Sequence, residues 1–207
     1  MIDRASTACV AVGIALLMAA GPLEAQSPSS GRMSALTRTT IDRLVDSLTV
    51  ERLPGDAIRD KVAEGVLKGA DDARILAAVR SLASRLREGR QLLGATASDD
   101  ELKAAASVLF AGVEPAAIAR LVDTQRRRGV ASLTMPLTIV AELALRNVPI
   151  DLAVSSVESL LRRGARDGEL SAFRNTIERD LQQGRTPRDA VSAGMRSTLN
   201  GLGRTPE

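Results

Sequence analysis

Histidine, tryptophan and tyrosine are missing from this chain of 207 residues, which has one cysteine and two phenylalanines. Each gap removes a class of chemistry. Without His, and with a lone Cys9 inside an N-terminal apolar run, the chain cannot assemble the common zinc sites or a Ser-His or Cys-His pair. One cysteine cannot close an intramolecular disulfide. Without Trp or Tyr, sugars and unpaired bases lose their usual stacking platforms. No Gly-x-Ser-x-Gly elbow, Ser-x-x-Lys pair or glycine-rich phosphate loop is present. The core has to come from Leu, Val, Ile and Ala, with Phe110 and Phe173 as its only candidate rings.

Charge excludes a further class. The formal net charge is +3, too mild for a dedicated nucleic-acid binder, so no nucleic acid is expected as a partner.

The N-terminus reads as an export signal. Arg4 precedes a weakly apolar run from Ala8 to Ala20, which Gly21-Pro22 breaks before Leu23-Glu24-Ala25. Cleavage is expected after Ala25, making residues 1–25 a signal peptide and placing the chain in a bacterial periplasm or outside the cell. Removing that segment takes away Asp3, Arg4 and Glu24, which moves the charge from +3 to +4. It also takes the only Cys. Residues 26–33 read as a disordered leader, 34–202 as one all-helical domain and 203–207 as a frayed tail.

What the chain does contain is a helix written several times. Arg52-Leu53-Pro54-Gly55-Asp56 leads to Lys68-Gly69, and Asn147-Val148-Pro149-Ile150-Asp151 leads over the same distance to Arg163-Gly164. Arg185-Thr186-Pro187-Arg188-Asp189 opens a third copy, and Val113-Glu114-Pro115, running to Arg128-Gly129, is a looser one. Proline suits the first turn of a helix and glycine its stop. Between such signals the apolar residues recur at helical spacing, as in Ile75, Leu76, Val79, Leu82 and Leu86. Ser98-x-x-Glu101 has capping-box spacing. About nine helices are expected, with no strand. The expected fold class is all-α, as stacked antiparallel helical hairpins (one-two, four-five, six-seven, eight-nine) with helix three as an insert or bridge. A compact globular helix bundle is the alternative.

The positive lead for a site is basic. Lys68 ends the second helix, Arg126, Arg127 and Arg128 end the fifth, and Arg162 and Arg163 end the seventh, with Arg166 just beyond. If the hairpins stack in register, these ends form a ridge able to meet an anionic partner. These helices open with Asp56, Glu114 and Asp151, and the ninth with Asp189, so complementarity to the helix dipole explains both ends, though it does not require three adjacent arginines. Gly65 and Gly69 read as a close packing point and a helix stop.

These observations imply an exported, non-catalytic helical-repeat interaction or scaffold protein of the bacterial cell envelope, with an unidentified protein or peptide partner. The alternative is a peripheral binder of anionic membrane or envelope polymer through the arginine-rich helix ends. A third reading, a hydrolase working with carboxylates alone, requires two facing Asp or Glu residues in a cleft. No cofactor, metal ligand or catalytic residue is assigned.

Overall fold

The structure is a computed structural model that describes residues 33–129 and 132–203. The expected signal peptide, nearly all of the leader and all but the first residue of the tail lie outside the described residues. The described part is all-α, with nine helices and no strand among the described residues. They are α1 (Ala35–Val50), α2 (Asp56–Leu67), α3 (Asp72–Leu93), α4 (Asp99–Phe110), α5 (Pro115–Arg127), α6 (Thr134–Leu145), α7 (Ile150–Arg162), α8 (Asp167–Gln182) and α9 (Pro187–Leu202). None is long and apolar enough to cross a membrane.

The ends form where the sequence puts caps and stops. Ser34, Asp71, Ser98 and Thr186 each accept a backbone N–H from the first turn of the helix that follows, which satisfies donors that a helix start leaves open. Positive φ angles follow the C-termini at Gly69, Gly112, Gly129, Gly164 and Gly184, and Asn147 takes the same role at φ 61°. That conformation closes a helix cheaply only for Gly or, less well, Asn.

Packing alternates. The odd helices α1, α3, α5, α7 and α9 form one series of neighbours, and α4, α6 and α8 form a second. Neighbours across the two series include α3 with α4, α6 with α7 and α8 with α9, and α2 packs on α1 and α3. Contact with the next helix but one is what stacked hairpins produce. Leu48, Ile58, Leu86, Leu121, Leu137, Leu160 and Phe173 are among the side chains fully buried in the core between them. Met33 packs against the same core.

α3 is the bridge. At 22 residues it is about 33 Å long, against about 18 Å for the 12-residue α4. α2 covers its N-terminal half, where Gly65 meets Ile75, and α4 covers its C-terminal half, where Gly89 meets Ala105. This extra helix also reverses direction. The sequence equates α2 with α5, α7 and α9, but three turns of the chain separate α2 from α5, so the two run in opposite senses. The sequence repeat therefore does not place α2 in the series of its lookalikes.

Candidate functional site

Because α2 and α4 each cover only part of α3, the middle of α3 floors a groove between them. The groove measures about 250 Å³. It is lined by Lys61 of α2, by Ala78, Ser81, Leu82 and Arg85 of α3, and by Ala106, Ser107 and Phe110 of α4. Phe110 is 63 % exposed, while the other ring, Phe173, is fully buried.

Arg85 is the one charged group of the floor. Its Nη1 donates to Ser81 Oγ at 2.8 Å, and its guanidinium carbon lies 4.9 Å from the centre of the Phe110 ring. The ring face attracts a cation. Its Nε–H is buried and has no acceptor among the described residues, a costly arrangement for a strong donor. Burial draws the Arg85 pKa below the ordinary arginine value, as expected for a cation moved out of water without a counter-charge.

The rim is different in character. Lys61 Nζ donates to Glu64 Oε2 at 2.7 Å, and Lys68 holds the other oxygen of Glu64. These two cations, Lys61 first, hold the Glu64 pKa down to about 2. At the other end Lys103 Nζ meets Asp56 Oδ2 at 2.6 Å and ties α4 to α2. The hydrogen bond from Lys103 holds the Asp56 pKa below its ordinary value. Among the described residues no Asp or Glu lines the groove, and neither lining serine has a carboxylate beside it: Ser107 Oγ donates to the backbone carbonyl of Lys103. Among the described residues no group of three or more His, Cys, Asp or Glu side chains could hold a metal ion.

The basic residues named from the sequence divide into three sets. Lys68 does not share an edge with the others. It ends α2 beside the start of α3, where Asp72 accepts from Ser34 and Thr37. Arg126 instead donates to the Leu93 carbonyl at the far end of α3. The reversal of α2 is the reason. The second set is occupied: Arg126 closes the end of α3, Arg128 donates to Gln125 Oε1 and to the Ala165 carbonyl beyond α7, and Arg162 pairs with Glu158 at 2.9 Å. Arg126 and Arg128 thus serve as hydrogen-bonded caps of neighbouring helices. Arg127 and Arg163, both exposed, have no side-chain partner among the described residues. Arg163 and Arg166 line a polar hollow of about 340 Å³ with Gly164, Glu169 and Leu202, and the Arg166 backbone N–H donates to Glu169 Oε2.

Sequence reasoning missed the groove. Its trace is small: Phe110 falls just past the apolar stripe of α4, and Arg85 sits one turn beyond Leu82 on the stripe of α3. Neither position announces that two helices on either side will part. In comparisons with known proteins, the chain matches no family model, no curated protein and no solved structure.

Proposed function

We propose that this chain is a non-catalytic helical-repeat interaction module of the bacterial cell envelope, and that it holds a short segment of a partner protein in the groove between α2 and α4. One observation carries the reading: a groove on the middle of α3 presents an unpaired guanidinium under an exposed ring. Aromatic residues and arginine are both enriched in protein interfaces. The volume is below the roughly 300–1,000 Å³ of most small-molecule sites, which favours a few side chains over a cofactor. The absence of a carboxylate pair or an activated serine in the groove favours binding over turnover. The export signal read at residues 1–25 supplies the compartment.

Selection of displayed random peptides on the mature chain tests this. Peptides enriched on the native protein should lose most of their binding to Ser107→Trp, which fills the groove from an exposed position on α4. Enriched peptides that bind both proteins equally would overturn the reading.

Arg127 and Arg163 favour a second reading, attachment to an anionic lipid or polymer at the ends of α5 and α7. Glu169 in the same hollow weakens the field there. Such a surface contact should fade as ionic strength rises, because charges are screened beyond about 8 Å at physiological salt. Binding in an apolar groove should persist.

A further inference from the structure

The chemistry of the occupant can be read from the donors of Arg85, on the premise that the groove is the binding site. The side of a guanidinium formed by Nε–H and Nη2 presents two parallel donors that match the two oxygens of a carboxylate. Two residues further along α3 this geometry is filled: Arg87 Nε and Nη2 each donate to one oxygen of Glu51, both at 2.7 Å. In Arg85 the Nη1 side is anchored by Ser81, so the guanidinium is oriented before anything binds. Its Nε and Nη2 have no acceptor among the described residues. The other cation of the lining, Lys61, adds positive potential at the wall, although Glu64 partly neutralises it. Around this cation the lining is mostly apolar, with Ala78, Leu82, Ala106 and the Phe110 ring beside Ser81 and Ser107. Phe110 is the last residue of α4 and largely exposed, so its ring can shift to admit a ligand beside the guanidinium without disturbing the core.

We infer that the groove takes an acidic amphipathic segment of a partner protein, one that sets an Asp or Glu carboxylate on the Nε and Nη2 side of Arg85 with an apolar side chain against Leu82 and Phe110. The carboxylate supplies the acceptor that the fold itself does not. The neighbouring apolar residue excludes water and so strengthens the pair. A basic or uncharged segment gains the apolar contact alone.

The test uses the mature full chain and four pools of fluorescein-labelled nonapeptides, with Glu, Gln, Lys or Leu at the centre and mixed apolar and small residues on both sides. Binding is read by fluorescence anisotropy. The Glu pool should bind about tenfold or more tighter than the Gln pool, the difference expected of a charge-assisted hydrogen bond. Arg85→Gln should bring the Glu pool to the level of the Gln pool. Arg85→Lys keeps the charge and loses the paired donors, so it should fall between them. Circular dichroism of each variant reports that the helices are intact. If all pools bind alike and Ser107→Trp weakens them all, the groove stands and the carboxylate inference falls. If Ser107→Trp leaves every pool unaffected, the groove reading falls and takes this inference with it. A Glu preference that survives both Arg85 variants also overturns the inference and directs attention to Arg127 and Arg163.

Discussion

Glycines show how finely single residues set this fold. Gly65 lies inside α2, where alanine is intrinsically better by about 1 kcal/mol. A Cβ there would stand 2.9 Å from Cγ1 of Ile75, a side chain 3 % exposed in the core. The nearest atom belongs to the root of a buried side chain, not to a flexible tip, so steric cost overrides propensity. Gly65→Ala should therefore lower stability by about 1–3 kcal/mol. Gly168, in the first turn of α8, has nothing within 4 Å of a Cβ. Gly168→Ala should be neutral or stabilising by up to about 1 kcal/mol. Urea unfolding of the two variants checks both signs; a Gly65→Ala protein as stable as the parent would show that α2 can lift off α3. The reading of Gly65 as a packing point and Gly69 as a stop was available from sequence because both roles are local. Its partner Ile75 was not, since nothing in the spacing says which face of α3 it meets.

At the scale of elements, Glu101 shows where local reading ends. The capping box is visible in Ser98-x-x-Glu101, and the structure contains both of its bonds: Glu101 N–H donates to Ser98 Oγ, and Ser98 N–H donates to Glu101 Oε2 at 2.9 Å. The second oxygen, Oε1, accepts the Leu133 N–H at 2.8 Å and so fastens the start of α6 to the start of α4. One carboxylate thus serves two helix starts, and it is nearly buried. Glu101→Ala should cost about 2–4 kcal/mol, from the lost cap and a buried N–H left without acceptor. That is a fall in Tm of roughly 4–16 °C for a domain of this size, whereas the exposed Asp100→Ala should move Tm by only a degree or two. Equal shifts for the two would mean that the tie to Leu133 contributes nothing. Helix starts and stops were legible because caps, prolines and positive-φ residues act within a turn or two. The direction of α2 was not, because it depends on the parity of helices between repeat copies. The 60 residues from Pro54 to Glu114, against 35 from Glu114 to Pro149, mark the inserted helix but do not say that it turns Lys68 away from the arginines. The groove is a consequence of the same insertion: a long α3 flanked by two helices too short to cover it.

For the whole molecule, the missing histidine becomes a property of the folded state. Between about pH 5.5 and 9 no side chain with an ordinary pKa titrates among the described residues. Folded and unfolded states then bind equal numbers of protons, and stability should not vary with pH in that range. Below it the carboxylates decide. Glu51 is held below its ordinary pKa chiefly by the hydrogen bond from Arg87, Asp56 by that from Lys103 and Asp72 by that from Ser34. Glu64 is lowered to about 2. Each is depressed in the folded state, so each stabilises the fold above its unfolded pKa near 4, and the contribution is lost as pH falls through the folded value. A thermal unfolding series should be flat from about pH 5.5 to 9 and fall steeply below about pH 4. Three of these groups join separate elements: Glu51 ties the end of α1 to α3, Asp72 ties α3 to the start of α1, and Asp56 ties α2 to α4. Acid should therefore loosen α1 from α3 and α2 from α4, the contacts that these depressed carboxylates hold. Amide hydrogen exchange at pH 3 and pH 7 resolves this. Protection should be lost first in α1 and in α2, which forms one wall of the groove, and a uniform loss across all nine helices would show that the stack unfolds as one unit.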